Sequence, residues 1–201
     1  MKLYYLQGAC SLAVHIVLEW IGQDYESQSV SRDELKSTKF LSLNPTGTVP
    51  VFQDGDLLLS QSTAILQYLA EKYPAANLLG SDLTARAETR RWLGLVNSDV
   101  HRVFGLFFAW PKYVGENCKE EFLQGAQKQL NEYLHILNQQ LAGKDYLTGT
   151  RSIADAYLWV TLNWSFFLKL DISAYPELVR FHQHLSQDPG VQAALKQEGL
   201  A

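Results

Sequence analysis

Short apolar runs separated by glycine and proline fill the first 80 residues of the chain. Residues 2–6 are apolar and aromatic and are followed by Gly8, which predicts a strand and a tight turn. Residues 12–21 are almost wholly apolar, which predicts a buried helix. Weaker patterns over residues 25–30 and 33–43 predict a second strand and a second helix. This order of elements predicts a βαβ unit.

The next apolar segment predicts a β-hairpin followed by a helix. Residues 51–53 and 57–59 flank Asp54-Gly55-Asp56, a turn sequence that contains glycine. Helical periodicity over residues 62–72 ends before Pro74, which stops a helix.

Helical periodicity alone covers the chain from residue 83 onward. Ser152 and Asp155 have the S-x-x-D spacing of a capping box, and Pro176 and Pro189 suit the first position of a helix. The predicted helices cover residues 84–108, 119–140, 155–168, 177–187 and 191–197. The change of pattern predicts an α/β domain over residues 1–76 and an all-α domain over residues 83–201.

Composition and charge exclude several classes of protein. Apolar residues make up 47% of the chain, which is enough for a globular core. Lys and Arg number 17 against 21 Asp and Glu, evenly spread, so no nucleic-acid surface is predicted. No apolar run reaches the ~18–20 residues of a membrane span, and no signal-peptide pattern is present, which predicts a cytoplasmic protein without a membrane partner.

The chain has two cysteines, too few for a disulfide scaffold, and neither has zinc-site spacing, so no metal is predicted. Cys10 lies just before the helix of residues 12–21, where free N–H groups and the helix dipole stabilise a thiolate and lower a cysteine pKa. The alternative is a small buried apolar residue. Cys118 follows a loop and lacks such a setting.

Two further positions combine main-chain geometry with polar groups. Pro50 stands at the entrance to a strand, where a cis bond after Val49 would let the Val49 backbone pair with an extended peptide; a trans edge proline is the alternative. Gln61 and Ser62 begin a helix, and such a start can hold a carboxylate; an ordinary N-cap is the alternative.

The helix predicted over residues 84–108 has two different faces. Two glycines on its polar face each cost roughly 0.5–1 kcal/mol relative to alanine, which predicts close approach of another group. His101, with Arg102 beside it, would then face a cleft; a solvated histidine is the alternative. At about 100° per residue, the apolar face holds Trp92, Leu93, Val96, Val100, Val103 and Phe107, and the polar face holds Arg90, Gly94, Asn97, His101 and Gly105.

Together these motifs resemble those of the cytosolic glutathione S-transferases, and residues 2–12 resemble the bacterial beta class. The likeness extends over essentially the whole chain. The motifs that carry it are Gly8-Ala9-Cys10-Ser11, Asn44-Pro45-Thr46-Gly47 before Val49-Pro50, Gln61-Ser62 before Ala64-Ile65-Leu66-Gln67-Tyr68-Leu69, and Ser152-Ile153-Ala154-Asp155-Ala156-Tyr157.

The resemblance implies a thioredoxin-like N-terminal domain that binds glutathione and an all-helical C-terminal domain that supplies the electrophile pocket. It implies a homodimer, glutathione as co-substrate and no permanently bound cofactor. The pocket residues that it implies are Phe104, Phe107, Phe108, Trp110 and Trp164.

Individual roles are implied at the matching positions. Val49 would pair its backbone with glutathione, Pro50 would be cis, and Gln61 and Ser62 would hold the γ-glutamyl end. Cys10 would lie beside the glutathione sulfur with His101 reaching it. Ser11 or the Cys10 region would hydrogen-bond that sulfur, Arg102 stands where the class commonly has lysine, and Lys36 would contact the glycyl carboxylate.

The chain departs from the family pattern at two places. Gln61 stands where glutamate is common, so recognition of the substrate ammonium would lean on an acid of a partner subunit, with Asp99 as the candidate. The segment of residues 30–44 is short, which leaves the assignment of Lys36 to the glycyl end open.

Three functions follow from this resemblance. The leading hypothesis is conjugation of the glutathione thiolate to small hydrophobic electrophiles. The alternatives are glutathione-dependent disulfide exchange or peroxide reduction through Cys10, and a non-enzymatic stress-related binding protein. Tyr4 and Tyr5 are rivals for thiol activation, although interior positions in the first strand favour packing.

Overall fold

The computed structural model describes residues 1–201, and its first part forms one mixed four-stranded sheet. The strands are β1 (Lys2–Tyr5), β2 (Glu26–Ser29), β3 (Val51–Asp54) and β4 (Leu57–Ser60), in the order β2-β1-β3-β4. β1 and β2 are parallel, and helix α1 (Ser11–Ile21) connects them. β3 pairs antiparallel with both β1 and β4. The predicted βαβ unit and hairpin are therefore confirmed.

Besides α1, the structure contains eight α-helices, and no strand follows β4. They are α2 (Thr38–Leu43), α3 (Ser62–Lys72), α4 (Leu83–Leu95), α5 (His101–Ala109), α6 (Lys119–Gln140), α7 (Ile153–Phe167), α8 (Pro176–Ser186) and α9 (Pro189–Gln197). No helix combines the length and the apolar character that crossing a membrane requires.

Helix α1 lies at the centre of the molecule. Every residue from Ser11 to Leu18 is buried, because α3, α7 and α9 all pack against this helix. The helix ends at Gly22, whose φ of +69° is a left-handed conformation that glycine adopts without strain. The nearly unbroken apolar sequence of residues 12–21 is thus explained by burial on several sides.

Local signals at the helix starts are confirmed. The Ser152 side chain and the Asp155 carboxylate form a capping box at the start of α7. Pro176 and Pro189 occupy the first positions of α8 and α9.

The single helix predicted over residues 33–43 is wrong. Ser37 has an extended conformation with ψ of 148°, and it separates a 3-10 turn (Glu34–Lys36) from α2. Its hydroxyl accepts a hydrogen bond from the Phe40 N–H at 3.2 Å. Serine favours this capping role over a helix interior, so the helix starts anew after it.

The single helix predicted over residues 84–108 is interrupted by a π-helical turn, Val96–Val100, between α4 and α5. A π turn holds an additional residue, so every side chain after it is rotated relative to an α-helical register. Phe104 consequently joins the core, fully buried, while Phe107 is half-buried. No group of this chain approaches the two glycines, since a Cβ at Gly94 or Gly105 would meet nothing within 4 Å, and the predicted close approach stays a prediction for a ligand or a partner subunit.

One apolar core of 42 buried residues extends from β1 and α1 through α3 into the helices of the second part. Leu12 and Ile16 of α1 belong to the same cluster as Leu158 and Leu162 of α7. A sheet part and a helical part are therefore joined by a continuous interior. The division of the chain into domains between residues 76 and 83 stays a prediction.

Candidate active site

A cavity of about 470 Å³ opens between the start of α1 and the helices α5 and α7. Its polar lining consists of Gln7, Cys10, Arg32, His101 and Asn163, and its aromatic lining consists of Phe108, Trp164 and Phe167. None of the residues that line it is an acid. The cavity therefore combines a thiol, an imidazole and one guanidinium with flat apolar walls.

The loop before Cys10 is fixed at Gly8 from two directions. The Gly8 N–H donates to the Glu198 carboxylate at 2.8 Å, and the Gly8 carbonyl accepts from the Trp164 indole N–H at 2.9 Å. The Glu198 side chain is fully buried and also lies 3.0 Å from the ring of the buried His15. Residues far along the chain thus hold the segment that presents the thiol.

The Cys10 thiol is half-buried at the start of α1 and lies 3.5 Å from the Val49 carbonyl oxygen. Burial raises the pKa of the Cys10 thiol, and hydrogen bonds from Ser62 and from the N–H groups of Cys10 and Ser11 only partly oppose that rise. The expectation of a lowered Cys10 pKa is therefore wrong, because burial outweighs the helix start.

His101 belongs to a hydrogen-bonded group at the back of the cavity. Its Nδ1 lies 2.7 Å from the Tyr157 hydroxyl, and that hydroxyl donates to the Asn97 amide oxygen at 3.1 Å. The His101 ring also contacts Trp164 edge-on, with ring centroids 4.9 Å apart. Burial lowers the pKa of His101 below its ordinary value, so the imidazole is neutral near pH 7.

Ser11 was predicted to act at the sulfur, but the structure does not bring its side chain into the cavity. The Ser11 hydroxyl is buried and exchanges hydrogen bonds with the Leu6 main chain, donating to the carbonyl and accepting from the N–H, both at 3.3 Å. Only the Ser11 N–H is directed at the Cys10 thiol.

The positions predicted to hold glutathione lie next to Cys10 rather than on the cavity wall. The Val49–Pro50 peptide bond is cis, as the resemblance implies. Ser62 is buried, whereas Gln61 is exposed with φ of +74°, a strained conformation for a residue with a side chain. Such strain is typical of residues at binding sites.

Three further predicted contacts lie outside the cavity. Lys36 is exposed on the 3-10 turn before α2, and Arg102 is exposed in the first turn of α5. Asp99 is half-buried in the π turn. Within the chain, none of the three forms an ion pair, so all three charges are available to a ligand or a partner.

The predicted aromatic pocket residues fall into three groups. Phe108 and Trp164 line the cavity. Phe104 is buried behind it against Trp164, with ring centroids 5.6 Å apart. Phe107 and Trp110 instead line a separate cavity of about 720 Å³ beside α6. The rotation caused by the π turn explains why Phe104 lies in the core.

The sequence assigned no role to Arg32, Asn163 or Phe167, and it included Tyr157 only as the last residue of a family motif. Tyr157 lies in the mostly buried helix α7, where an aromatic residue is typical of packing. Tyr4 and Tyr5 do pack, as expected: Tyr4 lies edge-on to Phe40, and the Tyr5 hydroxyl donates to the Gln197 carbonyl at 3.4 Å.

The fold and this site define a class: a sheet part with a thiol at the start of its first helix, closed by a helical part that supplies a histidine. Family models agree with that description. The model described as "Glutathione S-transferase, N-terminal domain" matches residues 1–71, and "Glutathione S-transferase, C-terminal domain" matches residues 99–189.

Individual relatives match over their whole length. A glutathione S-transferase of Xanthomonas campestris is 40% identical, with both chains covered completely. A solved glutathione S-transferase of Xylella fastidiosa is 39% identical with a TM-score of 0.94, covering 100% of this chain and 99% of that one. A bacterial beta class enzyme of Sphingomonas chungbukensis is 34% identical with a TM-score of 0.89 and complete coverage of both chains. The chain belongs to the glutathione S-transferase family, whose substrate is glutathione.

Proposed function

We propose that this transferase conjugates the glutathione thiolate to small, flat, apolar electrophiles. The observation that carries the proposal is the shared cavity of Cys10 and His101, which come from different parts of the chain. Its aromatic walls, Phe108, Trp164 and Phe167, suit a flat ring. The comparisons support transfer rather than binding alone, because the relatives are transferases by name.

Glutathione is proposed to lie along Val49, Pro50, Gln61 and Ser62, with its sulfur beside Cys10. Val49 and Ser62 both approach the Cys10 thiol, which supports this placement. A free thiol is only slightly ionised at neutral pH, so the site must favour the thiolate. The N–H groups at the start of α1 and a neutral His101 are the groups available for that purpose.

A Cys10→Ala variant separates conjugation from redox chemistry. We expect conjugation of a chloronitrobenzene to fall by no more than about tenfold, because the N–H groups, Ser62 and His101 remain. Glutathione-dependent reduction of a mixed disulfide should fall to the uncatalysed rate. Both rates are measured spectrophotometrically on the same preparation, with Cys118→Ala as the control because that thiol is exposed and remote.

Each outcome favours one function. Wild-type protein that reduced the mixed disulfide but conjugated no chloronitrobenzene, with the reduction lost in Cys10→Ala, would support the redox alternative, in which Cys10 itself forms the mixed disulfide. Wild-type protein that neither bound immobilised glutathione nor conjugated the chloronitrobenzene would overturn the proposed function.

Arg32 indicates which electrophiles the cavity prefers. It is the one guanidinium on a wall without acids, and it forms no ion pair within the chain. A hydrogen bond to a charged group contributes about 1.5–3 kcal/mol, so an electrophile with a carboxylate should react preferentially. We expect Arg32→Gln to lower, by roughly tenfold, the kcat/KM of a chloronitrobenzoate relative to that of a neutral chlorodinitrobenzene.

The control for this prediction is Arg91→Gln, because Arg91 is exposed and pairs with Glu88 away from the cavity. It should leave the ratio of the two kcat/KM values unchanged. If Arg32→Gln instead raised the KM for glutathione equally with both electrophiles, Arg32 would serve glutathione and the preference would be refuted.

Beta class membership, a role in detoxification and a cytoplasmic location belong to the same proposal. The named beta class relative and the thiol at the start of α1 support the class. Two unpaired cysteines suit a reducing compartment.

A homodimer is also proposed. Leu57 and Leu58 are exposed on β4, an edge strand, and Leu83 at the start of α4 is 81% exposed. Exposed apolar groups on a sheet edge suit a surface that another subunit covers. In the dimer, Asp99 of one subunit is proposed to meet the glutathione ammonium at the other. Sedimentation equilibrium at micromolar concentration tests the assembly, and a monomer there would refute it.

A further inference from the structure

Tyr157 connects the cavity histidine to a residue that lies outside the cavity. Its hydroxyl lies 2.7 Å from His101 Nδ1 and donates to Asn97 Oδ1 at 3.1 Å. The three residues come from α7, α5 and the π turn, so the fold has to bring them together. Nothing in the proposed function yet requires either Tyr157 or Asn97.

The number of protons determines the direction of these hydrogen bonds. A tyrosine hydroxyl has one hydrogen, and this one is given to an amide oxygen that can only accept. The hydroxyl oxygen is left as an acceptor, for Ser62 and for His101 Nδ1, so Nδ1 is the donor in its bond to Tyr157. Burial holds the pKa of Tyr157 well above its ordinary value, so its proton stays on.

We propose that Tyr157 and Asn97 are positioning residues that hold neutral His101 in the Nδ1–H tautomer, leaving the Nε2 lone pair free toward the cavity. The bond that one ring nitrogen makes sets the state of the other. His101 Nε2 has no hydrogen-bond partner within the chain, and His101 lines the cavity together with Cys10. His101 therefore presents Nε2 to the cavity as a hydrogen-bond acceptor rather than as a donor.

A free Nε2 lone pair of His101 at the cavity is suited to deprotonating a thiol. Nε2 can take the proton from a glutathione thiol, the S–H bond breaking as the N–H bond forms, so that a thiolate and an imidazolium result. The other titratable and charged groups on the cavity are Cys10 and Arg32, and Tyr157 lies behind the ring. This use of the lone pair rests on the proposed function, whereas the tautomer itself does not.

The direct test is a long-range ¹H–¹⁵N correlation spectrum of the ligand-free protein labelled in its five histidines. His101 is assigned by comparison with a His101→Gln variant. We expect Nδ1 to show the protonated signal and Nε2 the unprotonated one near neutral pH. The opposite pattern would overturn the proposal, because Tyr157 would then be the donor to His101.

Two variants test the two positioning residues separately. Asn97→Ala removes the acceptor, so the Tyr157 hydroxyl is free to donate to Nδ1 and the tautomer should change to Nε2–H. Tyr157→Phe removes one oxygen from a buried ring and should leave a mixture of both tautomers. In both variants kcat should fall by about tenfold with little change in the KM for glutathione.

Tyr146→Phe is the matched control, because Tyr146 also lies beside a histidine, 3.4 Å from His184 Nε2, but at the surface. Its His101 signals and its kcat should equal those of the wild type. An unchanged His101 spectrum in Asn97→Ala and Tyr157→Phe would overturn the proposal. If wild-type protein showed the Nδ1–H tautomer of His101 but had no conjugating activity, the proposed function would be refuted and the tautomer proposal would stand.

Discussion

A Glu198→Ala variant is expected to lose about 2–6 kcal/mol of unfolding free energy and most of its activity. The Glu198 carboxylate is fully buried and connects the Gly8 N–H with the His15 ring. Removing it leaves the Nδ1 of the buried His15 ring and the half-buried Gly8 N–H without a partner. The Gly8 segment also carries Cys10, and displacement of a reacting group by about 1 Å costs up to ~100-fold in rate.

The two effects are measured by thermal unfolding and by kcat at a temperature where the variant is folded. Glu26→Ala is the control, since Glu26 is exposed and its ion pair with Lys2 at 3.7 Å should be worth less than about 1 kcal/mol. Glu198→Gln should lie between wild type and Glu198→Ala, because one amide oxygen still accepts. A destabilised Glu198→Ala with wild-type kcat would show that the Gly8 loop does not depend on this carboxylate.

An Asp155→Ala variant is expected to lower the melting temperature by roughly 10 °C, from a loss of about 3–4 kcal/mol. The buried Asp155 carboxylate accepts from the N–H groups of Ser152 and Leu147, both at 2.8 Å, and from the Ser152 hydroxyl at 2.6 Å. Alanine would leave these donors buried without an acceptor. The start of α7, and with it Tyr157, would lose its cap.

Calorimetry of Asp155→Ala beside Asp145→Ala checks this expectation. Asp145 is an exposed aspartate of the same region that pairs with Arg180, so its removal should shift the melting temperature by only a few degrees. Equal shifts in the two variants would mean that the capping box adds no more than a surface ion pair.

The parts of the fold that the sequence predicted are those governed by neighbouring residues. The apolar run that became α1, the glycine-containing hairpin turn, and the prolines at the starts of α8 and α9 all depend on a few adjacent positions. Ser37 was missed because its capping preference competed with a weak helical pattern, and the cap prevailed. The π turn was missed because α-helical periodicity assumes a constant number of residues per turn.

The sequence predicted a residue of the candidate site only where a local pattern of neighbouring residues marks it. Cys10 follows a glycine at a helix start, and His101 lies on the polar, glycine-containing face of its predicted helix, so both were found. Tyr157 meets His101 across 56 positions of sequence. Glu198 meets Gly8 across 190 positions. No local pattern contains such a contact, because long-range packing alone creates it.

The π turn of residues 96–100 also affects how the sequences of related enzymes should be aligned. Deleting one residue there would restore an α-helix and leave the later side chains of α5 facing as they do now. A π turn that became α-helical at its present length would instead turn each of them by about 100°. His101 would leave Tyr157 and Phe108 would leave the cavity, although neither had been replaced. The site therefore depends on the π turn as well as on the identity of its residues, and a one-residue gap at this turn in an alignment is compatible with the same arrangement of side chains.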